Sequence, residues 1–285
     1  MSRLISIRLR DTTLASIEAG SGEALLFVHG SLGSMRDFSA QLDHFSATHR
    51  VISYSRRSHP PNAAHESGLP YTIARHAADM ADVVRELGIA PATVIGSSYG
   101  GYAALFCAIR HPGIVGRLVL CEPPILPILT WTAEGREALD RFESGTLTPA
   151  RAAFVAGDIR LGVGKFFDGV TGRAGMFALL SPSARERLME AGEALRLEFL
   201  TPPDEYMPPI SEEEIRSVKF PVLLIGGQKS PRYFALIADE LERLLPDSRR
   251  ATVPGAGHAM YAANPARFNR FVIEFISSGS GRDRA

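Results

Sequence analysis

Six short apolar runs, none alternating with polar residues, constrain this chain more than any other feature. They occupy residues 24–28, 51–54, 93–95, 118–121, 222–225 and 251–253. Successive side chains of a strand point to opposite faces, so a strand apolar at every position has no side to offer water. Such strands belong in a parallel sheet covered by helices on both faces. The segments between the runs carry the helical period. From Thr72, apolar residues fall at Ile73, Ala77, Met80, Val84 and Leu87, a single stripe closed by Gly88. From Ser230 they fall at Phe234, Ile237, Leu241 and Leu244, with Ser230 as N-cap and Pro231 in the first turn. Strand and helix in alternation predict an α/β fold with a doubly wound, mostly parallel sheet. Ahead of it, residues 4–10 and 13–18 alternate around Asp11-Thr12, which predicts an antiparallel hairpin.

The spacing of the runs divides the chain. They begin at 24, 51, 93, 118, 222 and 251, and only the step from 118 to 222 exceeds what one crossover helix needs. Helical patterns separated by Gly and Pro fill that step, among them 133–142, 149–157 and 182–199. The 285 residues are therefore expected to form one core domain, 1–124 and 217–276, interrupted by a helical cap (a lid) at 125–216. The Ser- and Gly-rich 277–285 is expected to be a disordered tail.

Composition excludes several partners. With 31 basic and 31 acidic residues the formal net charge is zero, and Arg56-Arg57 is far from a basic run. No general field draws such a chain to nucleic acid or an anionic membrane. No apolar run approaches the ~18 residues of a membrane span, and the alternating N-terminus lacks the apolar core of a signal peptide. Cys107 and Cys121 sit in apolar stretches without disulfide or metal-ligand spacing. The expected setting is the cytoplasm. No cofactor or metal is implied, since no H-x-x-x-H pair occurs.

Three loops carry chemistry. Gly96-Ser97-Ser98-Tyr99-Gly100-Gly101 directly follows the run at 93–95 and opens a helical pattern, 102–110. A sharp strand-to-helix turn lifts a serine hydroxyl clear of the sheet, and small residues two before and two after let the backbone pass closely. The pattern alone is a common glycine-rich turn; its place between strand and helix makes Ser98 a candidate nucleophile. His258, in Gly257-His258-Ala259 just past the last run, can reach the sheet's C-terminal edge, where open α/β sheets hold their sites. It is the candidate general base. His44, His49, His59, His65 and His76 read as solvated histidines, and His111 as a helix end. Phe27-Val28-His29-Gly30-Ser31 follows the first central run. The backbone N–H groups of Ser31 and Tyr99 are the candidate oxyanion-hole donors, with His29 ordering the loop.

His29-Gly30, Gly96-x-Ser98-x-Gly100 and Gly257-His258, in that order and each after a strand, resemble the α/β-hydrolase superfamily. The resemblance covers about residues 4–276. It implies a Ser–His–acid triad and an acyl-enzyme, and says little about substrate, since members include esterases, thioesterases, lactonases, C–C hydrolases, perhydrolases and non-hydrolytic proteins. The serine at position 98 departs from the dehalogenases and epoxide hydrolases of this fold, which carry aspartate there.

The chain also departs from the usual family pattern at the acid. That residue commonly follows the strand before the last, yet 222–225 is followed by Gly226-Gly227-Gln228-Lys229-Ser230, and no carboxylate comes before Asp239. Some members take the acid one strand earlier, where this chain has Glu122 followed by Pro123-Pro124. Glu122 is the candidate acid; its alternative is a surface glutamate at the cap hinge. Ser230 cannot supply a negative charge and reads as a helix cap. Arg56 and Arg57 read as loop hydrogen bonding and charge pairing. Trp131, Phe166, Phe167, Met176, Phe177, Tyr206 and Met207 are expected in the cap's core, some of them lining an acyl pocket. The cap shows no basic cluster, which argues against a phosphate- or CoA-dependent substrate.

Together these readings describe a cofactor-independent serine hydrolase for a carboxylic ester, lactone or thioester of a small, mainly apolar acyl substrate, acting as a monomer or homodimer. The unfilled acid position leaves an alternative: a ligand binder, or a lyase or cofactor-free oxygenase using His258 as base.

Overall fold

Strands form where the apolar runs lie, because only there can both faces of the pleat be buried. The computed structural model describes residues 2–62 and 71–278; His65 and the expected tail from 279 onward lie outside them. Among the described residues one sheet contains β1 (Arg3–Arg8), β2 (Thr13–Ala19), β3 (Ala24–Val28), β4 (Arg50–Tyr54), β5 (Ala92–Ser97), β6 (Val115–Cys121), β7 (Val222–Gly227) and β8 (Ser248–Val253). The order is β1-β2-β4-β3-β5-β6-β7-β8. The hairpin β1–β2 joins β4 antiparallel, and all other pairs are parallel.

Helices α1 (Ser39–Phe45), α2 (Ile73–Glu86) and α3 (Tyr99–Arg110) alternate with the first strands. Between β6 and β7 lie a 3-10 turn, Leu126–Trp131, then α4 (Ala133–Phe142), α5 (Thr148–Val155), α6 (Ile159–Thr171), α7 (Met176–Leu179), α8 (Pro182–Glu190), α9 (Gly192–Leu200), α10 (Pro203–Tyr206) and α11 (Glu212–Arg216). Helices α12 (Arg232–Leu244), α13 (Met260–Ala263) and α14 (Pro265–Ser277) complete the described chain. Ser277, expected in the tail, ends α14 instead.

Alternate residues of the central strands feed two separate cores. Leu26, Val94, Leu118, Leu120 and Leu224 pack with Met80 and Val84 of α2 and Ile237 and Leu241 of α12. Leu25, Phe27, Ile95, Val119 and Ile225 pack with Phe45 of α1 and Phe268 and Val272 of α14. β8 differs from its expectation: it is the sheet edge, with Arg249 and Arg250 exposed, and charge on an outer strand discourages pairing with another chain.

The segment between β6 and β7 has a small core of its own, formed by Ala150, Phe154, Val163, Phe177, Leu195 and Phe199. Its two ends join the main core through Leu126, Ile128, Phe142, Tyr206 and Ile215. The helical pattern at 182–199 resolves into α8 and α9, which meet at Ala191.

Two local expectations are corrected. The N-cap of α12 is Pro231, not Ser230. The Ser230 N–H is held in a turn by the Gly227 carbonyl at 3.1 Å, and its buried hydroxyl has no hydrogen-bond partner among the described residues. His59 and His76 are buried, not solvated: His59 packs edge-on against His29, and His76 faces the interior from α2 against Tyr71 and Tyr99.

Candidate active site

The sheet order reverses between β3 and β5, and the crevice beyond the carboxyl ends of strands at such a point is where α/β sheets place ligands. The loops carrying Ser31 and Ser98 leave these two neighbouring strands.

Ser98 has φ 52° and ψ −126°, a left-handed backbone that only strong surroundings maintain. Its N–H donates to the Cys121 carbonyl at 2.8 Å, and its own carbonyl accepts from Gly101 and Tyr102 at 2.8 and 3.0 Å. Side chains at the flanking glycines would close this turn: a Cβ on Gly96 would lie 2.6 Å from Gly101 Cα, and one on Gly100 2.4 Å from the His29 carbonyl. α3 starts at Tyr99, three residues earlier than its pattern suggested. The Tyr99 N–H therefore belongs to a first helical turn, whose donors have no intrahelical acceptor.

Glu122 follows the last residue of β6, one position beyond the carbonyl that holds Ser98. It too has a positive φ, 48°, which turns its side chain along the end of the sheet. Both carboxylate oxygens are engaged: Oε1 accepts from the Gly227 N–H at 2.7 Å, and Oε2 lies 2.7 Å from His258 Nδ1. A carboxylate only accepts, so Nδ1 carries a proton, and in the neutral ring that leaves the lone pair on Nε2. The His258 ring also stacks on Phe234 of α12, with centroids 4.4 Å apart and planes 11° apart.

Gly226 and Gly227, read from sequence only as the place where an acid is missing, make this contact possible. A Cβ on Gly226 would lie 3.3 Å from Glu122 Oε1, and one on Gly227 would lie 2.4 Å from the Gly257 carbonyl. A cavity of about 340 Å³ adjoins Glu122 here, lined in part by Pro123, Gln228, Ser230 and Phe234.

The turn after β3 is tied to buried polar groups. His29 Nε2 accepts from the Arg56 N–H at 2.8 Å, which puts the ring proton on Nδ1, 2.8 Å from the Gly30 carbonyl. His29 thus orders its loop, as expected. Ser31 is buried. Arg56 is 1% and Glu198 of α9 0% exposed, and they pair at 2.8 Å. Burial works against the Arg56 charge, yet the Glu198 carboxylate outweighs it and the guanidinium titrates above its ordinary range. Burial first, then neighbouring cationic groups, push His29, His59 and His76 well below the usual imidazole range. Arg57 pairs with Asp79 and Asp11. Sequence proximity could not have shown the Arg56–Glu198 pair, whose members are 142 positions apart.

A second cavity, about 490 Å³, lies between α4, α6 and the start of α12 and includes none of Ser98, Glu122 or His258. Its charged lining is Arg141, Lys165, Asp168, Arg173 and Arg232, of which Arg141 pairs with Glu137 and Arg232 with Glu134. Its cations come from separate elements and are dispersed in sequence.

The alpha/beta hydrolase family model matches residues 25–271. The chain belongs to this family. Among relatives of this alpha/beta hydrolase, a Bacillus subtilis protein provisionally named 2-succinyl-6-hydroxy-2,4-cyclohexadiene-1-carboxylate synthase is 29% identical over 261 residues, 90% of this chain and 92% of the relative. The 2-(acetamidomethylene)succinate hydrolase of Mesorhizobium japonicum is 26% identical, over 93% of this chain and 92% of its own. The carboxylesterase CesB of Bacillus subtilis superposes with a TM-score of 0.72 at 22% identity, over 97% and 92% of the two chains, which shows a common fold. No helix among the described residues is long and apolar enough to cross a membrane.

Proposed function

We propose that this alpha/beta hydrolase is a cofactor-independent serine hydrolase cleaving a carboxylic ester, lactone or thioester of a small, mainly apolar substrate. The observation that carries the reading is the 2.7 Å contact between Glu122 Oε2 and His258 Nδ1, with Ser98, at a strained strand-to-helix turn, bonded through its N–H to the carbonyl of Cys121, the residue before Glu122. In this reading Ser98 Oγ attacks the carbonyl carbon while His258 Nε2 takes its proton. Glu122 holds the imidazole in the required tautomer and stabilises the imidazolium that forms. The N–H groups of Ser31 and Tyr99 receive the oxyanion. As the tetrahedral adduct collapses, the bond to the leaving group breaks and His258 protonates that group. Water then loses a proton to His258 and attacks the acyl-enzyme, releasing the acid and restoring Ser98.

We assign the segment 125–216 as a cap over this site, with Tyr206 and Leu32 at the contact between cap and core; Tyr206 stacks on Tyr99 at 4.9 Å, and Leu32 packs on the cap's own cluster. The proposed setting is the cytoplasm, where the free, buried Cys107 and Cys121 stay reduced, and the proposed assembly a monomer or homodimer.

The test is a panel of p-nitrophenyl esters of increasing chain length, with lactones and thioesters, run on wild type and Ser98→Ala. Loss of turnover by ~10⁶ is expected in the variant, together with loss of labelling by a fluorophosphonate. Undiminished turnover would sink the nucleophile assignment. The synthase name of the Bacillus subtilis relative favours a second reading, a lyase with His258 as base. Turnover that survives Ser98→Ala and disappears in His258→Ala would select it.

A further inference from the structure

We infer that Arg56 and Glu198 are positioning residues that aim the oxyanion-binding peptide, making the cap a working part of the site and not only its cover. The inference rests on the roles proposed for Ser31 and Ser98. The Ser31 N–H shares a peptide unit with the Gly30 carbonyl. That unit is planar and trans, so fixing the direction of the carbonyl fixes the N–H in the opposite direction.

Three donors hold the Gly30 oxygen: His29 Nδ1 at 2.8 Å, Arg56 Nη2 at 3.1 Å and the Gly33 N–H at 3.2 Å. Only Arg56 brings a charge. A charged donor on the carbonyl polarises the whole peptide and strengthens the N–H on its far side.

Arg56 is itself held from the cap. The same Nη2 donates to Glu198 Oε1 at 2.8 Å, while Nε donates to the His29 carbonyl at 3.2 Å. Glu198 Oε2 accepts from the Tyr206 hydroxyl at 3.3 Å. Tyr206 in turn braces the second donor: its carbonyl accepts from the Tyr99 hydroxyl at 3.0 Å, and its ring stacks on that of Tyr99. The two proposed oxyanion donors thus lean on one stretch of cap, residues 198–206. A fully buried ion pair is a poor device for stability, because desolvation offsets much of its attraction and an apolar pair of similar size often serves as well. Its geometry accounts for it better: it brings a directed charge to one carbonyl.

That difference supplies the test. Arg56→Met/Glu198→Leu removes both charges and keeps the volume. The double variant should melt within a few degrees of wild type, or above it. Its kcat for p-nitrophenyl butyrate should fall about 10- to 100-fold with KM within threefold. The rate of Ser98 labelling by a fluorophosphonate should fall by the same factor. A folded double variant with kcat within twofold of wild type overturns the inference, as does a loss confined to KM. If the double variant melts below the assay temperature, Arg56→Gln/Glu198→Gln, which removes both charges and keeps polar groups to hydrogen-bond in their place, is read by the same two rates. Failure of the serine reading looks different: wild type turns over ester without Ser98 being labelled, or Ser98→Ala remains active.

Discussion

Replacing Glu122 by glutamine changes one atom and reverses what His258 can do. Glu122 Oε1 accepts from the Gly227 N–H at 2.7 Å and Oε2 faces His258 Nδ1 at 2.7 Å. An amide has one acceptor and one donor end. The Gly227 N–H requires the oxygen, so the NH₂ group must face His258. Nδ1 then accepts instead of donating, the ring proton moves to Nε2, and the nitrogen assigned to deprotonate Ser98 is already occupied. The charge is lost as well. A carboxylate and an imidazolium about 4 Å apart attract by ~4 kcal/mol at an effective dielectric of 20, and 1.36 kcal/mol is a factor of ten in rate. Charge alone therefore accounts for at most ~10³; where solvent screens part of it the tautomer carries the loss, and the expected fall in kcat lies between ~10² and ~10⁴. The assay is kcat on a saturating p-nitrophenyl ester, with circular dichroism and a melting curve to establish the fold. A folded Glu122→Gln protein with kcat within twofold of wild type would refute the reasoning and send the search for the acid elsewhere.

Gly30→Ala sets a Cβ 2.9 Å from Ser98 Cβ and 3.5 Å from its Oγ; displacement of the serine should lower kcat/KM by ~10², and an unchanged value would show that Ser98 has room to move. Gly227→Ala drives a methyl group against the Gly257 carbonyl at 2.4 Å, pushing the His258 loop off Glu122; kcat should drop at least tenfold, and full activity would mean that the 2.7 Å contact is dispensable. Stability should fall as pH drops from about 6.5 to 5. His29, His59 and His76 titrate well below 6.5 in the folded state, so below that pH the unfolded chain binds up to three protons that the fold excludes. Asp37, which burial pushes up to about 7, and Asp79, raised by burial, bind protons in the folded state and offset part of this. The net of one to two protons costs ~1.4 kcal/mol each per pH unit. Urea unfolding at several pH values reads the slope; stability that is flat or rises towards pH 5 contradicts it.

The central strands were legible because burial on both faces leaves a local trace, an apolar run, and each run lies within its strand with at most three residues added. Ser98 was legible for a similar reason, since the elbow's glycines and its flanking strand and helix are all contiguous. What escaped is what tertiary contact decides. His59 and His76 carry no local sign of burial, yet in space they sit in the interior beside Arg56, with His59 Nε2 3.7 Å from Glu198 Oε1. Ser230 has the composition of a cap, yet a turn to Gly227 shifts the helix start beyond it. Glu198 lies in α9, a helix of ordinary pattern, and nothing near it in sequence marks the partner it finds at Arg56. Gly226 and Gly227 showed an absence in sequence and a clearance in space.

Glu122 stands at the root of the segment proposed as a cap: Pro123 and Pro124 follow it, and the 3-10 turn begins at Leu126. Two consecutive fixed φ angles form a short stiff strut between the carboxylate and everything the cap does. An exchange of caps between relatives would therefore have to be spliced after Pro124. A junction drawn at the end of β6 would carry the proposed acid away with the segment it removes, and deliver a graft whose covering is intact and whose histidine faces an empty strand end.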